Sequence, residues 1–135
     1  MIAYGAAQPD SMFQIGSITK TFTATVLAQM VRDGRVRLDT PVRELIPGAE
    51  IPRPTGTERE ITLEDLAPHH SGLPTMPAGI SRNRERNPFA GFATNDLYAY
   101  LRRHGVERRA DATFVYSNLG FGLLGHALAK RGQTN

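Results

Sequence analysis

Cysteine is absent from this chain of 135 residues, and lysine occurs only twice, as Lys20 and Lys130. Without cysteine there can be no disulfide framework, no thiol nucleophile and no thiolate metal site. The sequence also has no apolar run near the roughly 18 residues that a membrane span requires. Residues 1–7 carry neither a basic leader nor an apolar core, so we expect neither a signal peptide nor a membrane span, and the compartment stays open.

The composition is that of one folded domain. Hydrophobic residues make up 40% of the chain and charged residues 21%, which supports a single core and is too apolar for a disordered chain. Lysine and arginine together number 16 against 13 acidic residues, so the formal net charge is +3, and nearly all of the positive charge is arginine. At this length we expect one domain at most.

The clearest predicted element is a helix from Ser17 to Asp33. Its apolar residues recur at helical spacings of three and four, and they are Phe22, Val26, Leu27, Met30 and Val31. Gly34 follows where a C-terminal cap belongs. A last helix is predicted from about Leu119 to Lys130.

Proline, glycine and capping residues divide the rest of the chain into short elements. We predict helices over residues 40–45, 62–68 and 94–105, a brief extended segment over 114–116, and polar or charged loops over 53–60 and 81–87. The helix starts are assigned to residues that cap helices well, namely Thr40 before Pro41, Thr62 with Asp65 in a capping box, and Thr94. The inventory is mainly helical and lacks strand-rich sequence that could close a sheet.

Ser17 and Lys20 stand three positions apart at the start of the first helix, where side chains i and i+3 are neighbours roughly 5 to 6 Å apart. A serine hydroxyl becomes a nucleophile when a base takes its proton, and a lysine can act so if burial or nearby positive charge lowers its pKa. The helix N-terminus also favours negative charge that develops at an attacked carbonyl. The alternative is that Ser17 is only an N-cap and Lys20 an exposed helix residue.

Tyr116 and Asn118 lie between the extended segment and the last helix, where both side chains can face one cleft. Ammonium groups stabilise a phenolate, so Tyr116 beside Lys20 could exchange protons with Ser17 or with a leaving group. Asn118 offers an amide to a substrate carbonyl or to Lys20. The alternative is a tyrosine at the edge of the core, with Ser117 or Asn118 capping the helix.

Longer stretches around these residues carry a family resemblance. Residues 13–24 (Phe-Gln-Ile-Gly-Ser-Ile-Thr-Lys-Thr-Phe-Thr-Ala), with Asp-Gly at 33–34 and Leu-Asp-Thr-Pro-Val at 38–42, resemble the nucleophile helix of the serine β-lactamase and penicillin-binding-protein family. Tyr-Ser-Asn-Leu-Gly at 116–120 resembles its class C branch, which contains class C β-lactamases, D-alanyl-D-alanine carboxypeptidases and related esterases. The turn His-His-Ser-Gly-Leu-Pro at 69–74 is similar to the family's His-Thr-Ser-Gly-Leu-Pro turn.

The resemblance implies a role for each matching residue. Ser17 would be the acylated nucleophile, Lys20 its proton partner, Tyr116 the general base and Asn118 a contact to the substrate amide. The backbone N–H of Ser17 would form one half of the oxyanion hole. No cofactor and no metal is implied, and the substrate would be an amide or ester carbonyl in a β-lactam, a D-Ala-D-Ala-type peptide or an ester.

The resemblance also implies the fold. The family combines an α/β sheet domain with a helical domain, and this β-lactamase/transpeptidase-like fold carries a third motif, Lys-Thr-Gly or His-x-Gly on a sheet strand, which also supplies the second oxyanion N–H. No such strand motif follows Asn118. We therefore expect residues 1–135 to be a mainly helical, incomplete portion of the domain without its C-terminal sheet. For a full-length parent the resemblance implies a periplasmic or extracellular location.

Three other patterns in the sequence are typical of nucleotide, metal and nucleic-acid binding. Gly120, Gly122 and Gly125 match the dinucleotide fingerprint, but no acidic residue follows about 20 positions on, so we expect a closely packed helix instead. The four histidines lack the spacing and acidic partners of a metal site. The arginines mix with acids and lack interleaved aromatics, which argues against nucleic-acid binding; they include Arg82, Arg84, Arg86, Arg102, Arg103, Arg108 and Arg109.

The sequence thus predicts a serine hydrolase that acts through an acyl-enzyme. The main alternative is a binding-only protein in which the pocket persists without turnover, which the missing strand motif favours. Nucleic-acid binding through the arginines is the third hypothesis. Because helices that normally cover a sheet would expose apolar faces, we also expect the chain to be marginally stable or self-associating.

Overall fold

The computed structural model describes residues 5–51, 53, 59–77, 90–106 and 113–133. Within these ranges the chain forms five α-helices and no β-strand, apart from an isolated antiparallel bridge between Pro41 and Thr62. The helices are α1 (Thr19–Arg32), α2 (Val42–Leu45), α3 (Leu63–Leu66), α4 (Thr94–His104) and α5 (Asn118–Gly132). The predicted mainly helical character is confirmed for the described residues.

Helix α1 follows a single 3₁₀ turn over Gly16–Ile18, which matches the predicted start. It ends in a Schellman motif: the N–H of Gly34 donates to Val31 O at 3.0 Å and the N–H of Arg35 to Met30 O at 2.9 Å. Gly34 has φ +66°, a conformation that glycine adopts without the strain a Cβ causes, so the predicted C-terminal cap is confirmed.

The predicted apolar face of α1 is only partly correct. Leu27 and Met30 are buried, but Phe22 and Val26 are 62% and 49% exposed. At 100° per residue, Phe22 and Leu27 point in directions about 140° apart, so one packing surface cannot cover both. The helix meets α5 through the Leu27 side and leaves the Phe22 side open.

Two of the predicted caps are wrong. Thr40 does not cap α2, because its hydroxyl accepts a hydrogen bond from the N–H of Arg37 at 2.9 Å and closes the preceding turn. Helix α4 includes Thr94, and the residue before it is Ala93, which has no acceptor in its side chain. The Asp96 carboxylate instead accepts from the N–H of Ala93 at 2.7 Å.

The capping box at α3 is confirmed. The carboxylate of Asp65 accepts from the backbone N–H of Thr62 at 3.0 Å and from the Thr62 hydroxyl at 2.9 Å. Asp65 is buried and also pairs with Arg59 at 3.2 Å. These contacts fix the short helix that leads into the turn over residues 69–74.

Helix α5 runs through the centre of the packing and contacts α1, α2 and α3. Its buried residues join one core; they are Leu119, Gly120, Leu123, Leu124, Ala127 and Leu128. Its N-cap is Ser117, whose Oγ accepts from the N–H of Gly120 at 2.8 Å. The predicted range of about Leu119 to Lys130 is therefore correct within two residues.

Some predictions fall outside the described residues. The charged loop over 81–87, with its arginines at 82, 84 and 86, lies there, as do Arg108 and Arg109. Residues 113–117 are described and form neither helix nor strand. No helix in the described part of the chain is long and apolar enough to cross a membrane.

Candidate active site

Ser17 lies in the 3₁₀ turn immediately before α1, with its side chain exposed. Its Oγ accepts two hydrogen bonds, one from the Tyr116 hydroxyl at 2.7 Å and one from Lys20 Nζ at 3.3 Å. Residues separated by nearly the whole chain thus converge on one hydroxyl. The structure brings together the serine, lysine and tyrosine that the motifs singled out.

Lys20 occupies the centre of the site. Its Nζ donates to Asn118 Oδ1 at 2.6 Å in addition to Ser17, so the ammonium joins the first turn of α1 to the first residue of α5. The same Nζ lies 4.9 Å from the centroid of the Tyr116 ring and 5.7 Å from that of Phe121. Contacts with two aromatic faces and two polar partners hold this ammonium in place.

Tyr116 is the group in this cluster with a shifted acidity. The adjacent Lys20 lowers the pKa of the phenol below its ordinary value of 10.0, and the contact with Ser17 lowers it further, against a small opposing effect of burial. A neutral phenol donates to Ser17 Oγ, whereas a phenolate at the same place can accept the serine proton. The geometry therefore allows proton transfer in either direction.

Asn118 begins α5, and the turn over residues 69–75 holds that helix start. The N–H of Asn118 donates to Thr75 O at 3.0 Å, and the Ser117 hydroxyl donates to Pro74 O at 2.7 Å. A Cβ at Gly120 would lie 3.1 Å from Ser117 Oγ and 3.3 Å from Ser71 Oγ. The close packing that we expected for the three glycines of this helix therefore holds at Gly120, whereas a Cβ at Gly122 would meet nothing within 4 Å.

Sequence reasoning missed His69, to which the motifs assign no role beyond its place in the turn over residues 69–74. The residue is buried, has φ +65° and accepts the N–H of Ser117 at Nδ1, 3.0 Å away. Burial, together with the positive charges of Lys20 and His70, lowers the pKa of its imidazole. Its position at the head of the family-like turn was the one available signal in the sequence.

A cavity of about 640 Å³ opens beside Ser17 and extends between α1, α4 and α5. Leu97, Gly125 and His126 are among the residues that line it. His126 shares a hydrogen bond with the Tyr98 hydroxyl. The pKa of this histidine is lowered, chiefly by burial and further by the charge of Lys130.

The described histidines and acidic residues form no group of three or more that could hold a metal ion. His104 stacks on Tyr100, with ring centroids 4.4 Å apart, and His126 is engaged with Tyr98. Many of the described arginines are paired with carboxylates, among them Arg32, Arg37, Arg43, Arg53, Arg59 and Arg102. Such pairs are typical of a solvated protein surface.

Comparisons with known proteins identify relatives of this chain. The chain is 33% identical over 136 residues to the D-alanyl-D-alanine-carboxypeptidase/endopeptidase AmpH of Escherichia coli K12, covering 94% of this chain and 34% of that protein. It is 40% identical over 123 residues to penicillin-binding protein 4 of Amycolatopsis lactamdurans, covering 89% of this chain and 30% of that protein. The chain thus spans about a third of the length of these relatives.

A solved structure gives the same result for the fold. The β-lactamase/D-alanine carboxypeptidase of Yersinia pestis superposes with a TM-score of 0.83 at 30% identity, over 94% of this chain and 36% of that one. The β-lactamase/transpeptidase-like fold that the motifs implied is therefore confirmed. The beta-lactamase family model matches residues 2–134, and the chain belongs to that family.

Proposed function

We propose that this chain carries the reactive centre of a serine hydrolase that forms an acyl-enzyme on Ser17. The observation that carries the proposal is the convergence of the Tyr116 hydroxyl and Lys20 Nζ on Ser17 Oγ, at 2.7 Å and 3.3 Å. A nucleophile and its base within hydrogen-bond reach, with a third group orienting the base, is the arrangement that covalent catalysis requires.

The proposed steps use these three side chains, the backbone N–H of Ser17 and water. Ser17 Oγ attacks the substrate carbonyl carbon, its proton passes to Tyr116, and Lys20 stabilises the phenolate before transfer. The backbone N–H of Ser17, at the start of a helix, offers a donor to the oxyanion. Collapse of the intermediate breaks the bond to the leaving group, which takes the proton, and water then hydrolyses the acyl-enzyme.

Asn118 has a double role in this proposal. Its Oδ1 accepts from Lys20 at 2.6 Å, and its Nδ2 lies 3.5 Å from Met76 Sδ, a weak acceptor. A substrate carbonyl would be a stronger partner for this amide nitrogen than a thioether. We therefore infer that Asn118 both holds Lys20 and contacts the amide or ester substrate.

The substrate class follows from the relatives and from the cavity. The relatives named for D-alanyl-D-alanine carboxypeptidase and penicillin binding support a β-lactam, a D-Ala-D-Ala-type peptide or an ester. Among the described residues that line the cavity, Lys20 and His126 alone have basic side chains and none is acidic, so the lining suits a neutral acyl group. A periplasmic or extracellular location belongs to the same proposal and rests on the family.

A binding-only protein is the second candidate. It is supported by the cavity of about 640 Å³ beside Ser17, which has room for a ligand whether or not the serine reacts. In that case the pocket holds a β-lactam or peptide without turnover. That residues 1–135 form only part of a domain is a prediction that goes with this candidate.

Labelling of Ser17 tests the proposal. Incubation with a fluorescent penicillin and, separately, a fluorophosphonate is followed by peptide mass spectrometry. We expect a covalent adduct on Ser17, none in Ser17→Ala, and labelling slower by about 10²- to 10⁴-fold in Tyr116→Phe, which keeps the ring and removes the base. Folded protein without an adduct contradicts the proposal, and saturable binding of penicillin by that protein supports the binding-only candidate.

A further inference from the structure

We propose that His69 is a positioning residue that holds Tyr116 against Ser17 by fixing the backbone on both sides of the tyrosine. The catalytic meaning of this role rests on the proposed function above. The contacts on which it stands are independent of that function and can be tested without turnover.

The first part of the argument is a pair of hydrogen bonds from one residue. The carbonyl of His69 accepts from the N–H of Val115 at 2.9 Å, and its Nδ1 accepts from the N–H of Ser117 at 3.0 Å. Val115 and Ser117 are the two neighbours of Tyr116 in the chain. Because residues 113–117 belong to no helix or strand, these two hydrogen bonds order the segment in place of the backbone hydrogen bonds of a sheet.

The backbone of His69 is unusual in a way that fits this role. Its φ of +65° lies in the left-handed region, which residues with a Cβ adopt rarely. Such conformations persist where the surrounding contacts determine them, and they concentrate at functional sites. Here the carbonyl and the imidazole of a single residue both face the same segment.

The ring of His69 forms the second part of the argument. Its centroid lies 4.6 Å from the Tyr116 ring and 5.0 Å from the Phe121 ring. These are the two rings that Lys20 Nζ contacts. His69 therefore lies against both aromatic neighbours of the ammonium, and a shift of the backbone segment that its Nδ1 holds changes the distance between Lys20 and the phenol.

The hydrogen bond to Ser117 defines the protonation state of the imidazole. Nδ1 can accept an N–H only when it carries no proton, so the neutral ring has its proton on Nε2. The titratable groups facing this ring are Lys20 from α1, Tyr116 from the 113–117 segment and His70 from the same turn. Protonation of Nδ1 would place its N–H against the N–H of Ser117. Two donors cannot bond to each other, so the hydrogen bond that holds Ser117 would break.

Three substitutions of His69 distinguish the contribution of its Nδ1 acceptor from that of its aromatic ring. His69→Asn keeps an acceptor near the position of Nδ1 and tolerates a left-handed backbone, but it lacks the ring. His69→Phe keeps a ring and lacks the acceptor, and His69→Ala lacks both. His104→Asn is the matched control, because His104 is exposed on α4 and contacts only Tyr100 among the aromatic rings described.

Two measurements are made on these variants. The first is the rate constant for acylation of Ser17 by fluorescent penicillin, separated from the affinity of the initial complex. The second is the pKa of Tyr116, followed by NMR with ¹³C-labelled tyrosine and assigned with Tyr116→Phe; this readout requires no activity. If His69 acts only by packing, its replacement lowers the stability of the protein and leaves the Tyr116 pKa of the folded protein unchanged.

We expect His69→Ala and His69→Phe to acylate on the order of 10²-fold more slowly, with little change in affinity, because small displacements of a catalytic group have effects of this size. The Tyr116 pKa should rise towards its ordinary value in both. His69→Asn should stay within about tenfold of the parent rate and keep the lowered pKa, and His104→Asn should match the parent in both measurements.

A His69→Phe protein with the parent rate and phenol pKa would overturn the proposal, as would His69→Asn behaving like His69→Ala. If the alanine and phenylalanine variants fail to fold, His69→Asn decides. The pKa of His69 lies below its ordinary value of 6.5, so the parent loses acylation only as the pH falls through that lowered pKa, and the asparagine variant must lack that loss. If the parent itself takes no label, the proposed function fails, and the Tyr116 pKa alone decides the role of His69.

Discussion

The proposed role of Ser17 as a nucleophile rests on the side chains that contact it, because its own position at the start of a helix is exposed. The spacing of Ser17 and Lys20 predicted that their side chains can meet, since residues three apart at the start of a helix are neighbours. The contacts of Lys20 with Asn118 and of Ser17 with Tyr116 join residues 98 and 99 positions apart. No local pattern predicts such contacts, and the family resemblance supplied them.

Replacement of Lys20 tests the electrostatics of this cluster. Lysine 20 is the largest cause of the lowered pKa of Tyr116, so Lys20→Met should raise that pKa towards 10.0. The phenolate form then appears only at higher pH, and any reaction that needs it shifts in the same direction. A titration of the phenol by ultraviolet absorbance, with Tyr116→Phe as the blank, measures the change.

Lys130 provides the matched control, because it is the other lysine of the chain and lies near the far end of α5. Lys130→Met should leave the Tyr116 titration unchanged. A Tyr116 pKa that stays lowered in Lys20→Met would show that Ser17, and not the ammonium, controls the phenol.

At the scale of elements, hydrophobic periodicity and caps predicted most of the helices and failed where tertiary contacts decide. Gly34 and the Thr62–Asp65 box were predicted correctly, because these signals act within a few residues. Thr40 and Thr94 were assigned as caps wrongly, since each had a competing local structure that the sequence leaves open. His69 was missed because its effect depends on a left-handed backbone and a segment 46 residues away.

Helix α5 contains a pair of glycines whose replacement should have opposite effects. A Cβ at Gly122 meets nothing within 4 Å, so Gly122→Ala should stabilise the chain by about 0.5–1 kcal/mol through the helix propensity of alanine. At Gly120 a Cβ would press on Ser117 Oγ, which is fixed by bonds to Gly120 N and Pro74 O, so Gly120→Ala should destabilise.

Urea unfolding of the two alanine variants beside the parent measures this difference, provided that the slope with denaturant is shared. The same substitution on the same helix makes each variant the control for the other. Equal effects of the two changes would mean that the N-cap of α5 accommodates a methyl group, and that close packing does not account for Gly120.

The whole molecule presents an apolar stripe that its own described residues do not cover. Ile18, Phe22 and Val26 follow one another at intervals of four along the first helical segment, and they are 59%, 62% and 49% exposed. Successive members of such a series differ by only about 40° in direction, so they form one continuous surface. Exposed apolar surface of this kind drives association in water.

We therefore expect the chain to self-associate through this stripe, with an apparent mass that rises with concentration in sedimentation velocity. Phe22→Gln combined with Val26→Gln should weaken association on the order of tenfold or more, because each buried side chain of this size contributes about 1.5–3 kcal/mol. Leu38→Gln is the control, since Leu38 is 46% exposed outside the stripe. The contrary result is a parent chain that stays monomeric at all concentrations and melts in one sharp transition. The exposed stripe then causes no association, and the core packed around α5 is sufficient to hold the helices together.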